Sequence, residues 1–272
     1  MRKLLPNTLR IAFLSLLTIV TIYPFLLMLS VSFMSQQDFV NNPLTIPPTL
    51  MTSNYALVWE RGGIARAFLN SLLITTVSVA IQVFLGSLVG YALSKMNFRR
   101  AHLFSVLFLI PMILPPQVIP LYLIFRSLGL INSYFGLFIY YAAIGLPLVI
   151  FIFTSFLRTI PIQISECAFT EGASHLQIYL KIMLPLQKPV IATVVVISGL
   201  SIWNDFFAPL ILITSRNMRT IPLTIFQFFG QYSARWPVIC ACLVLMVIPI
   251  LLAYIILQRH IISGVVAGSI KG

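Results

Sequence analysis

The stretch Glu166-Cys-Ala168-Phe169-Thr-Glu171-Gly172-Ala173-Ser174-His-Leu176-Gln-Ile-Tyr179-Leu-Lys-Ile182-Met-Leu184-Pro185 is the polar interruption around which the rest of this chain is organised. Its spacing predicts two short helical pieces. Phe169 shares a face with Glu166 and Ala173 at helical spacing. Gly172 suits the turn between the pieces, because glycine takes a positive φ at little cost. Ser174 is placed to cap the second piece. Leu176, Tyr179, Leu180 and Met183 recur at i, i+3, i+4 and i+7 and predict an apolar stripe. Pro185 and Pro189 end that piece. Few basic residues flank the stripe and two acids precede it, which favours a groove on another protein over an anionic bilayer surface.

Outward from this stretch the chain is overwhelmingly apolar. Of its 272 residues 60% are hydrophobic and 8% charged, against about 25% charged in a soluble domain. A mean hydropathy of +1.03 is too high for one globular core, so the bilayer is the expected solvent for much of the surface. A spanning helix needs about 20 predominantly apolar residues. Six stretches meet that length: Leu9 to Phe33, Phe68 to Ser94, His102 to Phe125, Tyr134 to Leu157, Val190 to Thr214 and Trp236 to Gln258. The first is too long for the apolar region of a signal peptide and is not followed by an A-x-A site.

The net charge of +12, from 17 Lys and Arg against 5 Asp and Glu, does not point to nucleic acid. The cations sit between apolar runs rather than on one patch, as loop charges do under the positive-inside rule. Their asymmetry places both termini, and the inner loop 158–189, in the cytoplasm. The outer loops are Met34 to Ala67, which begins with helix-breaking Pro43, Pro47 and Pro48, and Ser215 to Arg235. The expected organisation is an N-terminal helix with its extracytoplasmic loop over 1–66, then a five-helix core over 67–272.

Three cysteines and three widely spaced histidines give neither a paired disulfide framework nor a zinc-site spacing. There is no H-E-x-x-H and no clustered carboxylate set, which argues against an enzyme, and no G-x-x-x-x-G-K-[ST], so the chain has no P-loop for ATP. The run Pro111 to Pro120 is expected to bend or break the third span, as helices do where solutes cross. Gly86 and Gly90 form a G-x-x-x-G pair that lets helices approach closely. Polar residues within spans are costly. Asn70, Gln82, Gln117, Asn204 and Asp205 are therefore candidates for the solute path, with helix–helix hydrogen bonding as their ordinary alternative.

The quoted stretch resembles the EAA loop of ABC importer permeases, E-A-A-x-x-D-G-A followed at fixed distance by an aromatic, an Ile and Leu-Pro. Glu166, Ala168, Glu171, Gly172 and Ala173 stand at the first part of the pattern; Tyr179, Ile182, Leu184 and Pro185 stand at the second. Cys167 replaces an Ala, Glu171 an Asp and Tyr179 a Phe, each keeping size or charge. Outside the loop, Asn70-Ser71-Leu72, Pro115-Pro116-Gln117, Leu128 to Ser133, Trp203-Asn204-Asp205, Gly230-Gln231-Tyr232 with Trp236, and the tail Gln258 to Gly272 resemble the maltose-type second permease of the carbohydrate-uptake branch. At Asn97-Phe98-Arg99-Arg100 a Gly common among relatives is absent.

This resemblance implies an all-α membrane protein of six transmembrane helices with the type I ABC importer (MetI-like) permease fold. It implies a non-catalytic subunit that pairs with a second permease as a heterodimer. A cytoplasmic ATPase dimer, which binds ATP and Mg, would dock below and an extracytoplasmic solute-binding protein above, so that this chain needs no cofactor of its own. The cargo would be a sugar. Glu166, Ala168, Phe169, Glu171, Gly172, Ala173, Leu176, Tyr179, Ile182, Leu184 and Pro185 would form the ATPase-coupling loop, with Glu166 meeting an Arg of the ATPase. Asn70, Gln117, Asn204 and Asp205 would be the candidates for the translocation path. An ion-coupled secondary transporter is the competing class; it predicts inverted repeats and charges embedded in several spans, and neither is evident.

Overall fold

A computed structural model describes residues 7–60, 62–95, 103–104, 106–108, 110–111, 117–229 and 234–269. Residues 112–116 of the run Pro111 to Pro120, where a break is expected, the motif Gly230 to Tyr232, the segment Asn97 to Arg100 and the end of the tail lie outside them. The described elements are helical. In chain order they are α1 (Asn7–Ser32), α2 (Gln36–Asn41), α3 (Ser53–Glu60), α4 (Ile64–Lys95), α5 (Val118–Ser127), α6 (Tyr134–Leu157), α7 (Gln163–Thr170), α8 (His175–Ile178), α9 (Lys188–Asn204), α10 (Phe207–Leu212), α11 (Ile221–Ile225) and α12 (Trp236–Ser269). Among the described residues α1, α4 and α6 are long and apolar enough to cross a membrane; His175–Leu186 with Lys188–Asn204 form a further candidate, bent by 71°.

The chain divides into two compact units, Met1–Ala65 with Ile221–Pro249, and Arg66–Thr220 with Ile250–Gly272. In the first, the apolar window of α1 is not buried against the rest of the chain. The C-terminal end of the helix is anchored by hydrogen bonds. There Ser32 Oγ shares a 2.7 Å hydrogen bond with Tyr55 Oη, and Asn54 Nδ2 donates to the carbonyls of Ser32 and Met34, each at 2.9 Å. Ser35 caps α2, accepting from the Asp38 N–H at 3.0 Å.

The second unit is built on the contact between α4 and α6. A Cβ added at Gly90 would come within 2.7 Å of Phe153 Cβ and 3.1 Å of the Thr154 nitrogen, and one at Gly86 would strike Val149. The glycine pair therefore sets the separation of these helices. Around them Val149, Phe153 and Leu157 of α6 and Val190 and Val194 of α9 form an apolar core with Ala168, Ile178, Tyr179 and Met183 of the intervening loop. The fifth predicted span, Val190 to Thr214, is not one helix. α9 stops at Asn204 and α10 starts at Phe207. The side chain of Asp205 makes the break, because Oδ1 accepts from the Phe207 N–H at 2.9 Å and Oδ2 from the Ala208 N–H at 3.4 Å. An acid at a helix N-terminus satisfies amides that have no intrahelical partner.

Candidate functional site

The loop between α6 and α9 forms its two helical pieces through local chemistry. α7 ends in a Schellman motif. The Ala173 N–H donates to the Ala168 carbonyl and the Gly172 N–H to the Phe169 carbonyl, both at 3.0 Å, with Gly172 at φ 88°. That conformation suits a residue without a Cβ. Ser174 and Gln177 then form a capping box. The Ser174 N–H donates to Gln177 Oε1 at 2.8 Å, and the Gln177 N–H donates to Ser174 Oγ at 3.3 Å. α8 runs on into a π-helical turn, Tyr179–Met183, and a final turn, Leu184–Leu186.

The loop has two faces. Ala168, Tyr179 and Met183 are buried in the core of the second unit. Glu166, Glu171, Gly172 and Pro185 are exposed, Ala173, Ile182 and Leu184 are half-buried, and several large apolar side chains stand out, among them Phe169 at 57% exposure, Leu176 at 64% and Leu180 at 48%. Phe169 stacks on the His175 ring, centroids 5.3 Å apart. The apolar stripe read from the spacing is thus divided. Leu176 and Leu180 face outward, whereas Tyr179 and Met183 turn into the protein. The reason is that the helix lies against the membrane helices. One edge of a stripe about 100° wide meets that core, and the Tyr179 hydroxyl finds a partner there.

The partner lies on α4. Ser87 Oγ is 2.8 Å from Tyr179 Oη and donates to Gln187 Oε1 at 2.9 Å. Ser87, Tyr179 and Gln187 are all buried. The Tyr91 ring lies 5.4 Å from the Tyr179 ring, and Lys95 Nζ donates to Ser165 Oγ. None of Ser87, Tyr91, Lys95, Ser165 or Gln187 was singled out by sequence. The available signal was polar side chains in apolar runs and the i, i+4, i+8 spacing of the three on α4.

The five candidates for a solute path lie on α4, at the start of α5 and at the end of α9. Asn70 Nδ2 donates to the carbonyls of Asn217 and Arg219 at 2.9 Å each, and its Oδ1 accepts from Tyr134 Oη at 2.8 Å. It therefore fastens the 216–219 turn to α4 and α6. Asn204 is exposed and bonds back to the Leu200 carbonyl of its own helix. Gln117 is exposed at the start of α5. Asp205 accepts from Tyr141 Oη at 3.0 Å in addition to capping α10. Gln82 donates from Nε2 to the Tyr141 carbonyl at 2.7 Å. Its buried Oε1 has no hydrogen-bond partner among the described residues.

Residues 82–266 match the model of a family described as "Binding-protein-dependent transport system inner membrane component". The chain is 32% identical to the "Probable ABC transporter permease protein YurM" of Bacillus subtilis, over 96% of this chain and 87% of that protein. It is 32% identical to the "Probable starch degradation products transport system permease protein AmyC" of Thermoanaerobacterium thermosulfurigenes, over the full length of both. It is 29% identical to the melibiose/raffinose/stachyose import permease protein MelC of Bacillus subtilis, over 92% of this chain and 91% of the relative. Among solved structures, a chain of a bacterial ABC transporter involved in the import of the acidic polysaccharide alginate superposes with a TM-score of 0.80. The match covers 93% of this chain and 95% of that one at 23% identity, a likeness of fold.

Proposed function

We propose, from the premise that this chain belongs to the family of binding-protein-dependent transport system inner membrane components, that it carries an oligosaccharide across the membrane as one permease of a heterodimer. The chain is a membrane subunit of an ABC importer and performs no catalysis itself. Beyond that family role, the reading is that a cytoplasmic ATPase dimer binds ATP and Mg and grips the loop between α6 and α9. A second permease lies alongside, a solute-binding protein delivers the sugar from outside, and both termini lie in the cytoplasm.

The observation that carries this is the exposed face of the loop. Phe169, Leu176 and Leu180 are solvent-facing apolar side chains on a framework held rigid by the Schellman turn and the capping box. Exposed apolar patches of this kind mark protein interfaces, and a short helix presenting them suits a groove on a partner. Glu166 is exposed on the same segment and is placed to meet a cation of the ATPase; such charge-assisted contacts are geometrically specific. Support for a sugar as cargo comes from the names of the relatives, several of which are oligosaccharide permeases.

Transport then follows from a population shift. ATP draws the ATPase subunits together, the gripped loops move with them, and the spans exchange between inward- and outward-open packings. The exchange is driven only as far as ATP and sugar bind the two packings with different affinity.

The test is uptake of tritiated maltotriose, raffinose, stachyose and arabinotriose by cells expressing the complete transporter. At least one should accumulate in an ATP-dependent manner, and Glu166→Ala should reduce that uptake by about tenfold or more, the loss expected of a charge-assisted hydrogen bond. Uptake that survives ATP depletion and collapses with the ion gradient would instead identify a secondary transporter.

A further inference from the structure

Among the described residues, the inner face of the loop meets α4 through hydrogen bonds and ring contacts, and meets α6 and α9 through an apolar cluster. Against α6 and α9 it packs Ala168, Ile178 and Met183 on Val149, Phe153, Val190 and Val194. Dispersion and burial are non-directional, and a surface of this kind can slide. Against α4 the contacts have fixed geometry. Ser87 bonds both Tyr179 and Gln187. The Tyr91 ring lies against that of Tyr179, and Lys95 Nζ sits 5.8 Å over Tyr91 while donating to Ser165. Ser87, Tyr91 and Lys95 fall four residues apart, so they form one row along the helix. The row meets both halves of the loop: α7 through Ser165, and the segment after α8 through Tyr179.

Two further features point to movement at this row rather than static packing. The chain is π-helical from Tyr179 to Met183, and π turns are uncommon and concentrated where helices serve a function. Among the described residues, Gln187 Nε2 is buried without a hydrogen-bond partner. A buried donor left unpaired makes the present arrangement one from which a repacking can gain a bond. Gln187 also stands at the 71° bend between His175–Leu186 and α9, where a small rotation changes which groups it reaches.

We infer that Ser87, Tyr91 and Lys95 form the clutch by which the loop moves α4: positioning residues that hold this span to Tyr179, Gln187 and Ser165 while the outer face of the loop is held by the ATPase. This rests on the docking role proposed above. The apolar contacts to α6 and α9 then act as the bearing on which the loop turns.

The experiment uses the complete complex of both permeases, ATPase and binding protein in proteoliposomes. The probe is whichever of tritiated maltotriose, raffinose, stachyose or arabinotriose the unsubstituted complex accumulates. Sugar carried and ATP hydrolysed are measured in the same vesicles for Ser87→Ala, Ser87→Thr, Tyr179→Phe and Lys95→Met. The expected result is that Ser87→Ala, Tyr179→Phe and Lys95→Met each carry about tenfold less sugar per ATP, within the usual range of coupling between sites. The ATPase should co-purify in undiminished amount, and Ser87→Thr, which keeps the hydroxyl, should restore the ratio. A merely structural role would lower the yield of complex and leave the ratio unchanged, and that outcome overturns the clutch. Should Ser87→Ala fail to assemble, Tyr179→Phe decides, since it removes the hydroxyl alone and keeps the ring. Absence of ATP-dependent uptake in the unsubstituted complex would strike at the importer reading instead, before any variant is compared.

Discussion

Asn132 sits at φ 57°, a left-handed conformation in which an L-residue other than Asn or Asp is disfavoured. Its Oδ1 accepts from the N–H groups of Thr214 at 3.2 Å and Ser215 at 2.8 Å, and its own N–H donates to the Leu212 carbonyl at 2.7 Å. One residue thus turns the chain into α6 and ties down the segment after α10. Asn132→Ala should destabilise the purified protein by about 1–3 kcal/mol, read as a lower thermal midpoint in detergent. Asn132→Gly relieves the backbone strain without replacing the side-chain acceptor, so it should recover only part of the loss. Full recovery in the glycine variant would mean that the hydrogen bonds contribute nothing. Gly172 and Ser174 were legible from residue identity, because a positive φ and an N-cap are local demands that few residue types meet. The partner of Tyr179 was not, since Ser87 stands 92 residues away.

At the scale of elements, the sequence marked α4 and α6 as spans by their length and apolarity, and both are continuous helices. The same criterion joined α9 and α10 into one span, because hydropathy averages over Asp205 and is blind to the cap it makes. The stripe from Leu176 to Met183 was legible as amphipathic but not as divided between two surroundings. Helix contacts give a direct comparison between glycines. At Gly90 a Cβ would press on Phe153, whereas at Gly199 the nearest atom is Thr75 Cγ2 at 4.0 Å. Gly90→Val should therefore cost about 1–3 kcal/mol through overpacking. Gly199→Ala should be neutral or stabilise by up to about 1 kcal/mol, from helix propensity alone. Thermal unfolding of the two variants side by side checks this; equal effects would mean that α4 and α6 are not held at the separation described.

For the whole molecule, the orientation deduced from Lys and Arg asymmetry has a probe already in place. Cys167 is exposed on the loop, while Cys242 is buried. In a Cys240→Ala, Cys242→Ala background, a membrane-impermeant maleimide should label Cys167 in inside-out vesicles and not in intact cells. Labelling of intact cells would place the loop outside, where no ATPase could hold it.

Apolar length and the spacing from Glu166 to Pro185 were sufficient to establish a helical membrane protein and to identify its family. Each of these is a property of a segment read against water or lipid, and a segment carries that information by itself. Which side of the loop is buried, which groups the polar residues in the spans bond to, and where α4 is bound to the loop were decided only by tertiary structure. A hydrogen bond such as Ser87 to Gln187 exists only once packing has brought residues 100 positions apart in the chain within reach of each other. No local pattern encodes that distance.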